Sequence, residues 1–128
     1  MIKRQSVEVE GLGHAGLPIP AAARVGMFIA TGGVRGVSRK TGEMPADLAE
    51  QVHLMFENLR TIVEAAGGAC EGILKMTIWI RGNEARTMID REWSAMFPDS
   101  RARPARHILV HALGAGMLVQ CEALAIAE

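Results

Sequence analysis

The C-terminal stretch RPARHILVHALGAGMLVQCEALAIA, Arg103–Ala127, decides how the chain is read. Two runs of alternating apolar residues flank ALGAG, Ala112–Gly116, whose glycines suit a tight turn. A hairpin symmetric about Gly114 is the simplest arrangement. It places Arg106 opposite Glu122, Ile108 opposite Gln120 and Val110 opposite Leu118, all on one sheet face, with opposed Cβ atoms about 5 Å apart. A slip of one residue would send one charge to the other face. Two readings of the charged pair stand side by side. It is a structural ion pair, which burial makes weak evidence of stabilisation. Or it is a site: a planar guanidinium with spare donors is a natural clamp for a carboxylate ligand, and a neighbouring carboxylate can hold or deprotonate a water.

Working outward, GILKMTIWI (72–80) has strand length and β-branched content, with Leu74, Met76, Ile78 and Ile80 expected on one face. Asp47–Ala66 is the clearest helix, because Leu48, Val52, Met55, Phe56, Leu59, Ile62, Val63 and Ala66 form one stripe at helical period. Asp47 is a suitable N-cap and Gly67-Gly68 a C-terminal stop. A second helix is expected over Glu84–Phe97, capped by Asn83 and ended by Pro98, with Met88, Ile89, Trp93 and Met96 inward. KRQSVEVE and MFIATGGV read as strands, and GLGHAGLPIPAAARVG between them as an extended Gly/Pro-rich loop. The order β-β-α-β-α-β-β predicts an α+β domain spanning residues 1–128: one mixed sheet with two helices on one face. The other face carries apolar residues as well and needs cover, for which another subunit is the simplest source.

Composition narrows the function. Fourteen basic and fourteen acidic residues cancel and aromatic residues make up only 4 %, which argues against nucleic-acid binding or RNA cleavage. MIKRQSVEVE has no apolar h-region and no run approaches membrane-spanning length, so a cytoplasmic location and no membrane partner are expected. Cys70 and Cys121 lack C-x-x-C spacing and read as free or buried thiols. His107 and His111 share the strand face opposite Arg106, but no third ligand lies at useful spacing, so no metal is expected. His53 falls on the polar side of the first helix, and Asp90 reads as helix surface unless a cleft reaches it. GLGHAG lacks the strand–turn–helix context of a dinucleotide fingerprint.

Pieces along most of the chain resemble the RidA/YjgF family. AARVGMFIATGG is similar to its A-V-x-V-G-x-x-x-x-[ST]-S-G strand, and KTGEMPADLAEQV to its K-T-G-E turn and helix start. ENLRTIVEAAGG and ILKMTIWI resemble its N-x-x-x-[IV]-L-E-A-A-G helix and K-x-T-V-[FY] strand. RPARHILV resembles its P-A-R-S motif and LVQCEALAIA its closing [IV]-E-I-E-A-I-A. The resemblance implies a chorismate-mutase-like fold, a homotrimer packed sheet to sheet, and ligand clefts between neighbours. It implies hydrolysis of 2-imino or enamino acids to 2-keto acids and ammonia, without cofactor or metal. Arg106 would clamp the substrate carboxylate, Glu122 would position water, and backbone near Gly33 and Ile108 would orient the imine. The chain departs from the family pattern at Ile19 (tyrosine there), Gly32 (serine), Ile108 (cysteine) and Asp90 (asparagine). His14, in the loop that carries the family tyrosine, either offers a polar group in its place or is a solvated loop histidine. Two functions follow: a hydrolase of 2-imino or enamino acids or of a related aminated carboxylate, or a non-catalytic or regulatory trimer that captures small carboxylates.

Overall fold

A computed structural model describes all residues, 1–128. Its strands are β1 (Arg4–Val7), β2 (Ala22–Val25), β3 (Phe28–Thr31), β4 (Val34–Arg35), β5 (Ile73–Ile80), β6 (Ala105–Val110) and β7 (Val119–Ile126); its helices are α1 (Leu48–Ala65) and α2 (Ala85–Met96). The sheet runs β1-β2-β3-β7-β5-β6, with short β4 also on β7. Both helices lie on one face, as the apolar patterns require. Two short strands, β2 and β4, are additional to the expected order. β2 lies within what reads as a loop, where Ala-Ala-Arg-Val alternation was outweighed by the Gly and Pro around it.

The C-terminal hairpin is not formed. β6 runs parallel to β5, while β7 runs antiparallel on the other side of β5. Residues 111–118 therefore carry the chain past β5 rather than around a tight turn. The reason is the segment before it: β5-α2-β6 is a strand–helix–strand unit, which sets its two strands parallel and adjacent. β7 then fills the slot between β5 and the β3/β4 pair. There its odd residues Val119, Cys121, Ala123 and Ala125 are buried against the helices.

Register now assigns the faces. Arg106 pairs with Met76 and Met76 with Ala123, so Arg106 belongs to the helix side. Glu122 pairs with Thr77 and Thr77 with His107, so these belong to the open side. The expected opposition of Arg106 and Glu122 is thus overturned. Leu74 is also corrected: an irregularity between Ile73 and Lys75 turns it outward, while Ile73, Met76, Ile78 and Ile80 face the core.

α1 begins where its cap requires, with Asp47 Oδ2 accepting a hydrogen bond from the Glu50 amide at 3.0 Å. It ends at Gly67, whose φ of 91° is cheap only for glycine. Arg24 donates from Nη1 to the Ala66 carbonyl at 2.8 Å, capping that end with a cation. α2 has no side-chain cap; Asn83 instead accepts from Arg86 Nε at 2.9 Å.

Two buried amides on α1 anchor the connections at the far end. Gln51, wholly buried, donates from Nε2 to the carbonyls of Pro45 (2.8 Å) and Gly116 (3.0 Å) and accepts from the Leu118 amide at 2.7 Å. Asn58 donates to the carbonyls of Arg35 and Val37, both at 2.9 Å. Both cysteines are free and buried. No helix is long and apolar enough to cross a membrane.

His53 links the helices, a role its polar-face position did not announce. Its Nδ1 lies 2.9 Å from Glu92 Oε1 on α2 and its Nε2 3.1 Å from Glu57 Oε1. The hydrogen bond to Glu92, ahead of the opposing effect of burial, raises its pKa above the usual 6.5. A raised pKa contributes stability that is present below the unfolded value and lost as pH rises through the folded one. The excess melting temperature of wild type over His53→Gln is therefore expected to be largest near about pH 6 and to fade toward about pH 8, as thermal melts across pH would read.

Candidate active site

Arg106 is the most constrained of the candidate groups. β6 is an edge strand, and its helix-side residues Arg106 and Ile108 look toward α2. Asp90 and Trp93 lie at i and i+3 on one face of that helix, and Phe97 follows just past its end. The Arg106 guanidinium carbon sits 4.9 Å from the Trp93 ring centroid, and its Nη1 lies 2.9 Å from Asp90 Oδ1. Trp93 is itself held edge-on by Phe97, with centroids 4.7 Å apart. Arg103 fixes the approach to the strand by donating from Nε to the Phe97 carbonyl at 2.9 Å. The Arg106 side chain is 27 % exposed and that of Asp90 62 %. An ion pair so open to water is worth at most about 1 kcal/mol, and the ring contact roughly as much. These contacts orient the guanidinium without using up its donors, since only Nη1 meets a carboxylate.

A second group gathers where β4 meets β7. Gln120 pairs with Arg35 across the strands. A Cβ added to Gly33 would come 2.5 Å from Gln120 Nε2, so the missing side chain is what admits the amide. His14 curls back over this end, with Nδ1 3.2 Å from the Ile19 carbonyl and Cε1 3.8 Å from where a Cβ on Gly32 would lie. Ala15 at φ 53° makes the sharp bend that brings the loop round. Arg35 ties the same loop down through the Gly13 carbonyl at 3.3 Å. His14, Ile19 and Gly32 are therefore neighbours, with Gly33 next along the chain.

Glu122 adjoins this second group, two residues along the same face of β7 from Gln120, and stands apart only from Arg106. It belongs to the open sheet face, opposite Thr77, at a depression of about 260 Å³ that Lys75, Thr31 and Leu124 also line. His107 continues this row on β6, while His111 lies past the strand end and approaches the Ala112 carbonyl at 2.6 Å. No three His, Cys, Asp or Glu side chains are grouped to hold a metal ion. Polar Thr77 and Lys75 flank Glu122, and farther along the same face Leu124 is 49 % and Phe28 65 % exposed.

Within one chain, then, the candidates fall into two places: Arg106 and Ile108 at the outer edge, and Gly33, His14 and Ile19 at the β4 end with Glu122 beside them on the open face. Sequence reasoning missed Gln120 and Arg35, neutral or ordinary in an alternating pattern, and Trp93, which looks like core alone. The resemblance pointed to this end of the sheet through Gly33, Ile19 and His14 alone.

One mixed sheet, helices on a single side, an apolar open face and an arginine held at an edge strand define a class of small α+β proteins. The chain belongs to the RidA/YjgF family. The family model described as "Endoribonuclease L-PSP" matches residues 18–127. The 2-iminobutanoate/2-iminopropanoate deaminase of Escherichia coli K12 is 32 % identical over 111 residues, covering 85 % of this chain and 87 % of that protein. Among solved structures, the E. coli YjgF gene product superposes with a TM-score of 0.86 at 30 % identity, covering 97 % and 99 % of the two chains. E. coli TdcF with bound serine gives a TM-score of 0.87 at 29 % identity, again covering 97 % and 99 %.

Proposed function

We propose that this protein hydrolyses 2-imino or enamino acids to 2-keto acids and ammonia in a cleft completed by a neighbouring subunit of a homotrimer. The observation that carries the reading is Arg106: a guanidinium oriented by Trp93 and Asp90 at a sheet edge, with donors left over for a carboxylate. A relative at 32 % identity is named for deamination of 2-iminobutanoate and 2-iminopropanoate, and TdcF has been crystallised with serine, a small amino acid. In the proposed reaction water adds to the C2 carbon of the protonated imine. The resulting carbinolamine releases ammonia and leaves the 2-keto acid.

Arg106 clamps the carboxylate, and backbone at Gly33 and Ile108 orients the nitrogen. Ile19 and His14 form part of the wall, and Glu122 positions the water. Arg106 and Ile108 are separate from the other groups in one chain, so the reading requires a second copy to bring an edge strand against the β4 end of its neighbour. The apolar open face, with Phe28 and Leu124 exposed, gives the surface for that packing. No cofactor enters this chemistry, and its proposed place is the cytoplasm.

The test generates 2-imino acids from several amino acids with an oxidase and follows loss of the imine. Wild type is expected to accelerate that loss and to sediment as a trimer. Gln120 favours one other reading. An amide beside Gly33 can hold a water but cannot take its proton, which suits a non-catalytic carboxylate-binding trimer. No acceleration across the panel, together with thermal stabilisation by keto acids, would select that second reading.

A further inference from the structure

The counter-ion of the clamp suggests what kind of carboxylate it takes. Arg106 alone would attract any carboxylate. With Asp90 Oδ1 2.9 Å from Nη1, the pair has no net charge. A ligand carboxylate placed on the remaining donors comes close to a second negative group, and that repulsion must be offset. A ligand with a cationic nitrogen on the carbon next to its carboxylate offsets it by offering one charge to each partner. We infer that Asp90 is a specificity-determining residue which makes the site select zwitterionic ligands, iminium or ammonium acids, over 2-keto acids.

The inference rests on Arg106 being the carboxylate clamp. It gives the reaction a direction as well. The substrate iminium acid carries one positive and one negative charge, and water converts it to a 2-keto acid anion and ammonium. The anion has lost the charge that faced Asp90, so the product is held less well than the substrate and leaves. Asp90 is exposed on α2 and its one ion pair is with Arg106, so removing its charge costs the fold little.

The experiment compares L-alanine with pyruvate, which differ in the ammonium group against the keto oxygen, by titration calorimetry. Wild type, Asp90→Asn, Asp90→Glu and Arg106→Ala are measured at one pH and ionic strength. Asp90→Asn is expected to strengthen pyruvate binding and weaken L-alanine binding, moving the affinity ratio by about tenfold or more. Asp90→Glu keeps the wild-type ratio, which loss of helix packing would not explain. Arg106→Ala loses both ligands. If Arg106→Ala loses both while the Asp90→Asn ratio moves by less than about threefold, the selectivity inference is overturned and the clamp stands. If Arg106→Ala binds both ligands as wild type does, the clamp reading itself fails and the inference with it.

Discussion

Arg106→Ala is expected to lower kcat/KM for 2-imino acid hydrolysis by roughly 100- to 1,000-fold with little change in melting temperature. The two effects separate because the arginine's structural contacts are weak and its proposed ligand contacts strong. Asp90 is mostly in water, and Trp93 keeps its contact with Phe97 when the guanidinium is gone. A charge-assisted, two-pronged grip on a carboxylate, by contrast, has no substitute at the edge of β6. Arg106→Lys is expected to recover only part of the loss, since an ammonium offers a point charge rather than a fork. Steady-state kinetics beside thermal melts check this. A variant that loses stability but keeps kcat/KM would return Arg106 to the role of a structural ion pair.

Gln51→Leu carries the largest expected effect on stability. The side chain is wholly buried and makes three hydrogen bonds, to the carbonyls of Pro45 and Gly116 and from the amide of Leu118. Leucine fits the volume but strands the Leu118 amide and both carbonyls, so a loss of about 2–4 kcal/mol is expected. Denaturant unfolding measures the total. Hydrogen exchange locates it: the Leu118 amide should lose protection beyond what the global change explains, because this contact holds the chain where it passes β5. Unchanged stability would mean that the connection needs no anchor.

How far the amino-acid sequence carries depends on whether a feature is local. α1 was legible to within a residue or two, since its stripe, its Asp47 cap and Gly67 all act within a few turns. The C-terminal strands were legible as strands but not as partners. ALGAG satisfies the local chemistry of a tight turn, yet β5-α2-β6 claims the strand edge that a hairpin would have used. That competition is non-local, and only the strand–helix–strand rule exposes it. Leu74 shows the same limit on a smaller scale, because one irregular residue in β5 reverses a face.

The site divides in the same way. Arg106 and Glu122 were found because charge in an apolar alternation is conspicuous, but alternation assigns a face only once the partner strand is known. Asp90 read as surface because the residue that gives it meaning, Arg106, comes from another element. Gln120 has no signal of its own; its contact with Gly33 exists only after β4 has joined β7. The family resemblance named candidate residues and implied clefts between neighbours, while the distance between Arg106 and Glu122 in a single chain emerges only from the strand pairing.

Mixing two impaired variants tests the central claim, that Arg106 of one subunit and the Gly33 end of another make one site. Arg106→Ala removes the clamp, and Gly33→Val drives a side chain into the space held by Gln120. Each is expected to be nearly inactive alone. Unfolded together and refolded in equal amounts, they should form mixed trimers in which about one quarter of the sites hold both intact halves. Imine hydrolysis at up to about a quarter of the wild-type rate is the predicted result. A mixture no more active than the mean of its two components, in trimers shown to be mixed, would contradict the account.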